Sequence, residues 1–127
     1  MLLDLHPEPE WPRLEVHVGD RITAIGDLDT TGNVAKVLTA RRVLASLIDD
    51  GLFIAERVTR FEFRYHFSSV DAWLAYMTEN WTSATIAPAQ VTRAREVLAE
   101  ATGTLVICEQ VHAARYRRGH SQPDSRA

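Results

Sequence analysis

The stretch FEFRYHFSSVDAWLAYMTENW, residues 61–81, contains the clearest change of hydrophobic period in this chain of 127 residues. Aromatic residues alternate with polar ones over its first seven positions, which predicts a β-strand with one apolar face. From Val70 the apolar residues recur every three or four positions instead, which predicts an amphipathic helix. Ser68, with Asp71 three residues later, resembles a capping box at the junction. A strand therefore leads directly into a helix here.

The segments before this stretch predict three further strands and a helix. Leu2–His6 is an apolar strand, and the proline-rich loop after it is followed by a β-hairpin over Leu14–Gly26 that projects from the sheet. Residues 28–53 carry an apolar face at helical spacing, and Gly51 is placed to end that helix. The order strand, hairpin, helix, strand predicts an α/β fold.

The segments after it predict one more helix and a last strand. The helix begins near Pro88, a residue suited to a first turn, and ends by Gly103. The strand TLVICEQVHAARYRR, residues 104–118, follows. We therefore expect one α/β domain over residues 1–118 and a disordered tail over residues 119–127.

Composition indicates an ordinary globular chain and excludes several classes of protein. Hydrophobic residues make up 46% and charged residues 24%, and the net charge of -3 argues against a nucleic-acid partner. No segment approaches the ~20 apolar residues that a membrane span needs. The single cysteine, Cys108, excludes an internal disulfide and a cysteine-based zinc cluster, and we expect it to be buried. We expect a cytoplasmic protein.

The first strand is apolar at nearly every position, as is typical of strands covered on both faces in parallel sheets. The hairpin that follows cannot easily supply a parallel neighbour for it. We therefore expect its neighbours to come from residues preceding Met1.

Taken together, these segments resemble the C-terminal half of a class I S-adenosylmethionine-dependent methyltransferase. The resemblance covers Met1 to about Arg118. It implies that Leu2–His6 is the family's fifth strand and that Val58–Phe67 and Leu105–Arg115 are its antiparallel sixth and seventh strands. The implied fold is a partial Rossmann-like one, a small mixed sheet with an antiparallel strand pair, covering helices and the projecting hairpin. The stretches that carry the resemblance are LLDLHPEPE (2–10), residues 61–81, RAREVL (93–98) and LVICEQVHAARYRR (105–118).

The family's cofactor motifs, a glycine-rich turn and an acidic residue, belong to its first half. The six glycines of this chain are scattered singly, so we expect no residue of it to bind S-adenosylmethionine, which is implied only for the complete fold. The resemblance implies the substrate-side portion of a methyltransferase, inactive alone, whose partners are a small-molecule methyl acceptor and a complementing N-terminal half. The alternative is a free-standing, non-catalytic α+β module that forms a homodimer or binds a small ligand.

Four residues are candidates for substrate binding: His6, Glu8, Trp11 and His66. His6 and Glu8 follow the carboxyl end of the first strand, where open α/β sheets bind ligands, and an imidazole can act as a base near neutral pH. Trp11, in the proline loop, is placed to line an apolar pocket. A solvated loop and an exposed strand face around His66 are the structural alternatives.

No catalytic residue is assigned, and no metal site is predicted. The pair His6-x-Glu8, with His66 or His17, lacks a second ligand at helical spacing. A weak hydrolase or metal enzyme built on His6 and Glu8 is a third possible interpretation.

Overall fold

A computed structural model describes residues 1–119. Five strands form one sheet, three helices pack on it, and every strand pair among these residues is antiparallel. The predicted combination of strands and helices is confirmed, but the predicted mixed sheet is wrong for this part of the chain. The tail predicted beyond Gly119 lies outside the described residues. The elements are β1 (Leu2–Pro7), β2 (Arg13–Val18), β3 (Arg21–Asp27), α1 (Thr31–Asp49), β4 (Phe53–Phe67), α2 (Val70–Asn80), α3 (Pro88–Glu100) and β5 (Thr104–Arg118).

Strand β5 is the centre of the sheet. Strand β4 pairs with it along its whole length on one side. On the other side β2 pairs with residues 104–108 and β1 pairs with residues 111–116, so β1 and β2 follow one another along the same side of β5. The expected position of the first strand, beside an antiparallel pair, is confirmed.

The hairpin of β2 and β3 is part of the sheet, so the expectation that it projects is wrong. Gly19 occupies the predicted turn with φ +57°, a left-handed conformation that glycine adopts without steric cost. The hairpin lies flat because β2 pairs with β5 and because Leu14 and Val16 point into the core, where both are fully buried.

The main core lies where α2 and α3 cover one face of the sheet. Trp73 of α2 is fully buried there against Leu105 and Ile107 of β5. Helix α2 is capped by Ser69, whose hydroxyl accepts a hydrogen bond from the Ala72 N–H at 3.0 Å, one residue later than the sequence predicts. The core is therefore concentrated at the end of the sheet where β5 begins.

Helix α1 lies at the other end, over β1 and the opposite face of the sheet. Val37 is its one buried residue, and a groove of about 520 Å³ separates the helix from β1. Leu3 and Leu5 of β1 are 71% and 69% exposed. Within the described residues, the helices at this end lie on one face of β1 only, and the expectation that further neighbours of β1 precede Met1 stays a prediction.

Candidate functional site

The interruption between β1 and β2 is the most irregular place in the sheet. Residues 8–12 lie opposite only Glu109 and Gln110 of β5, so these five residues form a loop that bulges away from β5. Prolines at positions 7, 9 and 12 cause this interruption, because they lack the N–H that a strand ladder needs. The N–H of Glu8 still donates to the Gln110 carbonyl at 2.7 Å, which holds the loop against β5.

A cavity of about 240 Å³ opens at this interruption. It lies beyond the carboxyl end of β1, between the start of α1, the loop after α2, and β4 and β5. Its walls combine two aromatic side chains with hydroxyl, amide and carboxyl groups, which suits a small ligand with polar edges. The lining residues are Pro7, Thr30, Asn33, Tyr65, Asn80, Trp81, Ser83, Ala84 and Glu109.

Glu109 and Tyr65 form a hydrogen-bonded pair in the wall of this cavity. The Tyr65 hydroxyl donates to Glu109 Oε1 at 3.0 Å, and the Trp81 ring meets the Tyr65 ring edge-on with centroids 5.4 Å apart. Burial raises the pKa of the Glu109 carboxyl, and the Tyr65 hydrogen bond offsets part of that rise. Burial, followed by the charge of Glu109, raises the pKa of Tyr65, which therefore remains a donor. The pair places a carboxyl of raised pKa beside a hydroxyl that donates to it and orients it.

A cluster of five charged or titratable residues lies at the same end of β1, beneath α1. His6 Nδ1 is 2.9 Å from Asp4 Oδ1, and the His6 ring stacks on that of His112 with centroids 4.7 Å apart. The Arg41 guanidinium reaches His6 Nε2 and His112 Nδ1, both at 3.3 Å, and Glu8 Oε2 at 3.2 Å. One arginine of α1 thus joins both imidazoles to a carboxylate.

The structure brings together two of the four residues predicted to bind substrate. His6 and Glu8 both belong to the cluster around Arg41. Trp11 is 45% exposed in the loop, and His66 is exposed on β4, where it pairs with Val106. His66 pairs with Val106, and His6 pairs with His112, which lies six residues further along β5. His6 and His66 are therefore about 20 Å apart along the sheet.

Sequence reasoning missed Tyr65, Glu109 and His112. Tyr65 was assigned only to the apolar face of a strand, and it reaches Glu109 because β4 and β5 pair side by side. Glu109 and His112 are polar residues within an apolar strand, and such residues are a usable signal because a buried polar group needs a partner. Which partners they meet depends on strand register across the chain.

Comparisons with known proteins give no relative. No protein-family model, curated protein or solved structure matches this chain. Among residues 1–119, no helix has both the length and the apolar character required to cross a bilayer.

Proposed function

We propose that this chain is the acceptor-binding side of a cytoplasmic S-adenosylmethionine-dependent methyltransferase, and that it is inactive until a cofactor-binding half covers β1 and α1. The observation that carries the proposal is the position of β1. It lies beside the antiparallel pair of β4 and β5, as the resemblance requires, and within residues 1–119 no strand pairs with its outer edge.

The surface around β1 suits further polypeptide. Natural sheets protect their edge strands with charges, bulges or covering segments, and an apolar unpaired edge invites another strand. Leu3 and Leu5 leave one face of β1 apolar, and the groove beneath α1 leaves the other face incompletely packed. An added strand and helix would bury these groups together.

The cavity at the carboxyl end of β1 is the proposed acceptor site, because open α/β sheets bind ligands beyond that edge. Its Glu109 carboxyl accepts a hydrogen bond from the hydroxyl or amine group of an acceptor. When that oxygen or nitrogen is methylated it must lose a proton, and Glu109 is placed to take it. Tyr65 and Trp81 supply aromatic surface for the rest of the molecule.

We propose that the glycines of this chain do not cradle the cofactor. A Cβ at Gly103 would lie 2.5 Å from the carbonyl oxygen of His17, and one at Gly26 would meet the side chain of Gln90. The close approaches that these glycines permit are therefore within the protein itself. No residue of this chain is proposed to bind S-adenosylmethionine.

The test is made on the native product. Antibodies against the chain isolate it from its own cells, ultraviolet irradiation with tritiated S-adenosylmethionine labels any bound site, and intact mass spectrometry gives the size of the labelled chain. We expect a label on a product larger than 14.3 kDa, or on a second chain in stable complex with one of 14.3 kDa. Excess S-adenosylhomocysteine, the competing control, should abolish it.

Two results would contradict the proposal. The first is a native product of 14.3 kDa that is recovered alone and unlabelled. The second is labelling of the purified recombinant chain by itself, because its residues are proposed to provide no cofactor site.

The exposed apolar surface also favours a second candidate, a non-catalytic module that forms a homodimer through β1 and α1. Leu3, Leu5 and Val43 are each more than half exposed and belong to these two elements. Light scattering on the purified chain distinguishes the two. A stable particle of twice the chain mass with a cooperative thermal transition supports the dimer, whereas a monomer that aggregates supports the methyltransferase portion.

A further inference from the structure

We propose that Asp4, His6 and His112 form a binding site for a divalent transition-metal ion, a site that goes beyond the proposed methyltransferase role. One potential ligand atom from each of the three residues lies within 4.8 Å of the others. Asp4 Oδ1 and His6 Nδ1 are 2.9 Å apart in a hydrogen bond, which a bound ion would replace. The His6 and His112 rings are stacked, so an ion that takes all three ligands would turn at least one ring.

Strand register places the three side chains on one surface. Asp4 and His6 are two residues apart on β1 and therefore point to the same face. His112 is the direct cross-strand partner of His6 in the pairing of β1 with β5. The ligands thus project from two hydrogen-bonded strands, a more rigid support than a loop provides.

The donor set determines the class of ion. Two imidazoles with one carboxylate suit zinc, iron, cobalt or nickel, and they suit calcium and magnesium poorly, because those ions prefer oxygen ligands. Three protein ligands also leave positions open for water or a small anion. Glu8 Oε1, 3.4 Å from His112 Nδ1, is a further carboxylate within reach of the site.

Arg41 is the competitor of the metal ion. Its guanidinium contacts ring nitrogens of both His6 and His112 at 3.3 Å, so one cation already lies among these acceptors. Its side chain is 34% exposed and long enough to withdraw toward solvent. A metal ion and the Arg41 guanidinium repel each other and use the same imidazoles, so removing the guanidinium should strengthen metal binding.

The experiment is a titration of the full chain with Zn²⁺ in a calorimeter, repeated with Co²⁺ while its visible absorption is recorded. We expect one ion per chain. His112→Ala should weaken binding at least about 10-fold, because losing even a supporting group near a metal costs that much. His66→Ala, a matched change on exposed β4, should leave affinity unchanged, and Arg41→Gln should raise it.

Circular dichroism of each variant shows whether it folds. If His112→Ala unfolds, Asp4→Asn, which keeps the size of the side chain, takes its place with the same expected loss. Absence of binding at millimolar Zn²⁺ would overturn the proposal. Equal affinity in the wild-type chain and Asp4→Asn, or an equal loss in His66→Ala, would overturn it too. The titration involves no S-adenosylmethionine, so its result is independent of the methyltransferase proposal.

Discussion

The two ends of the sheet differ in how completely they are packed. Where β5 begins, Leu105 and Ile107 are fully buried beneath α2 and α3. Where β5 ends, Ala114 and Tyr116 are buried, but β1 leaves Leu3 and Leu5 exposed, and Val37 is the one buried residue of α1. Both ends belong to the same antiparallel ladder, so hydrogen bonding alone does not explain the difference.

The difference indicates that the end of the sheet under α2 and α3 supplies most of the folding stability, whereas the β1–α1 end leaves apolar surface exposed. Burial of apolar side chains is the main favourable term in folding, so the α2–α3 end should hold most of the stability. The β1–α1 end carries the titratable cluster and the unpaired edge, and the candidate cavity opens where this end meets the loop after α2. The exposed leucines of this end, Leu3 and Leu5, are typical of surfaces that meet other polypeptide.

The largest expected effect is from truncation at the packed end. Ile107→Ala should lower the free energy of unfolding by about 2–5 kcal/mol, because it removes buried methyl groups and leaves a cavity. Leu5→Ala is the matched control, an aliphatic truncation on the same face of the sheet, and should change it by less than about 0.5 kcal/mol. Urea denaturation of both variants measures the two values. Similar losses in both would show that the two ends are equally packed.

Charging the exposed strand should alter association more than stability. Leu3→Lys combined with Leu5→Lys places charge on an edge strand, which discourages pairing with another chain. We expect reduced binding of a hydrophobic fluorescent dye and less aggregation, with the urea midpoint nearly unchanged. A strongly lowered midpoint would mean that these leucines are buried in the folded chain.

The cavity makes a prediction for the dependence of stability on pH. Burial raises the pKa of Glu109 in the folded state, so its contribution is present below the ordinary value of 4.5 and is lost as pH rises through the raised pKa. Glu109→Gln keeps a hydrogen-bond acceptor for Tyr65 without the ionisation. Its stability should therefore fall less than that of the wild type as pH rises above 4.5.

Glu15 is the control, because its pKa shift has the opposite sign. A hydrogen bond with His17 lowers the Glu15 pKa, so its contribution is present above 4.5 and is lost as pH falls through the lowered pKa. Glu15→Gln should therefore destabilise the chain most above 4.5. Thermal midpoints of both variants across pH 3–8 check the two signs, and parallel curves for the two variants would contradict them.

The smallest signal is expected from Cys108. Its side chain is almost fully buried, and burial, followed by the hydrogen bond to Glu15, raises the pKa of the thiol to about 11. Thiolate, the reactive form, is therefore scarce at pH 8. Alkylation by iodoacetamide should be slow and should follow unfolding of the packed end. Rapid alkylation under native conditions would show that this end opens easily.

Local chemistry in the sequence predicts much of the fold. The alternation of residues 61–67 gives a strand, the spacing after Val70 gives a helix, and Gly19 and Gly51 adopt positive φ values of 57° and 79° at a predicted turn and a predicted helix end. Burial of Cys108 is also confirmed. Each of these features depends on residues close together in the chain.

What the sequence did not predict depends on pairing between distant residues. An apolar strand such as β1 is compatible with either a parallel or an antiparallel neighbour, and its pairing with β5 is set by residues about a hundred positions away. For the same reason His112 could not be placed opposite His6, nor Glu109 beside Tyr65. The proline loop could be predicted, but its position opposite Glu109 could not.

Hydrogen–deuterium exchange of the purified chain, at concentrations where light scattering shows a monomer, tests most directly whether the β1–α1 end awaits further polypeptide. The predicted result is slow exchange of amides in β2, α2 and residues 104–108, set by global unfolding, together with exchange in β1 and α1 that is faster by at least about 10-fold. Equally slow exchange at both ends of a monomeric chain would contradict the central claim, because the β1–α1 end would then be stable without any covering half.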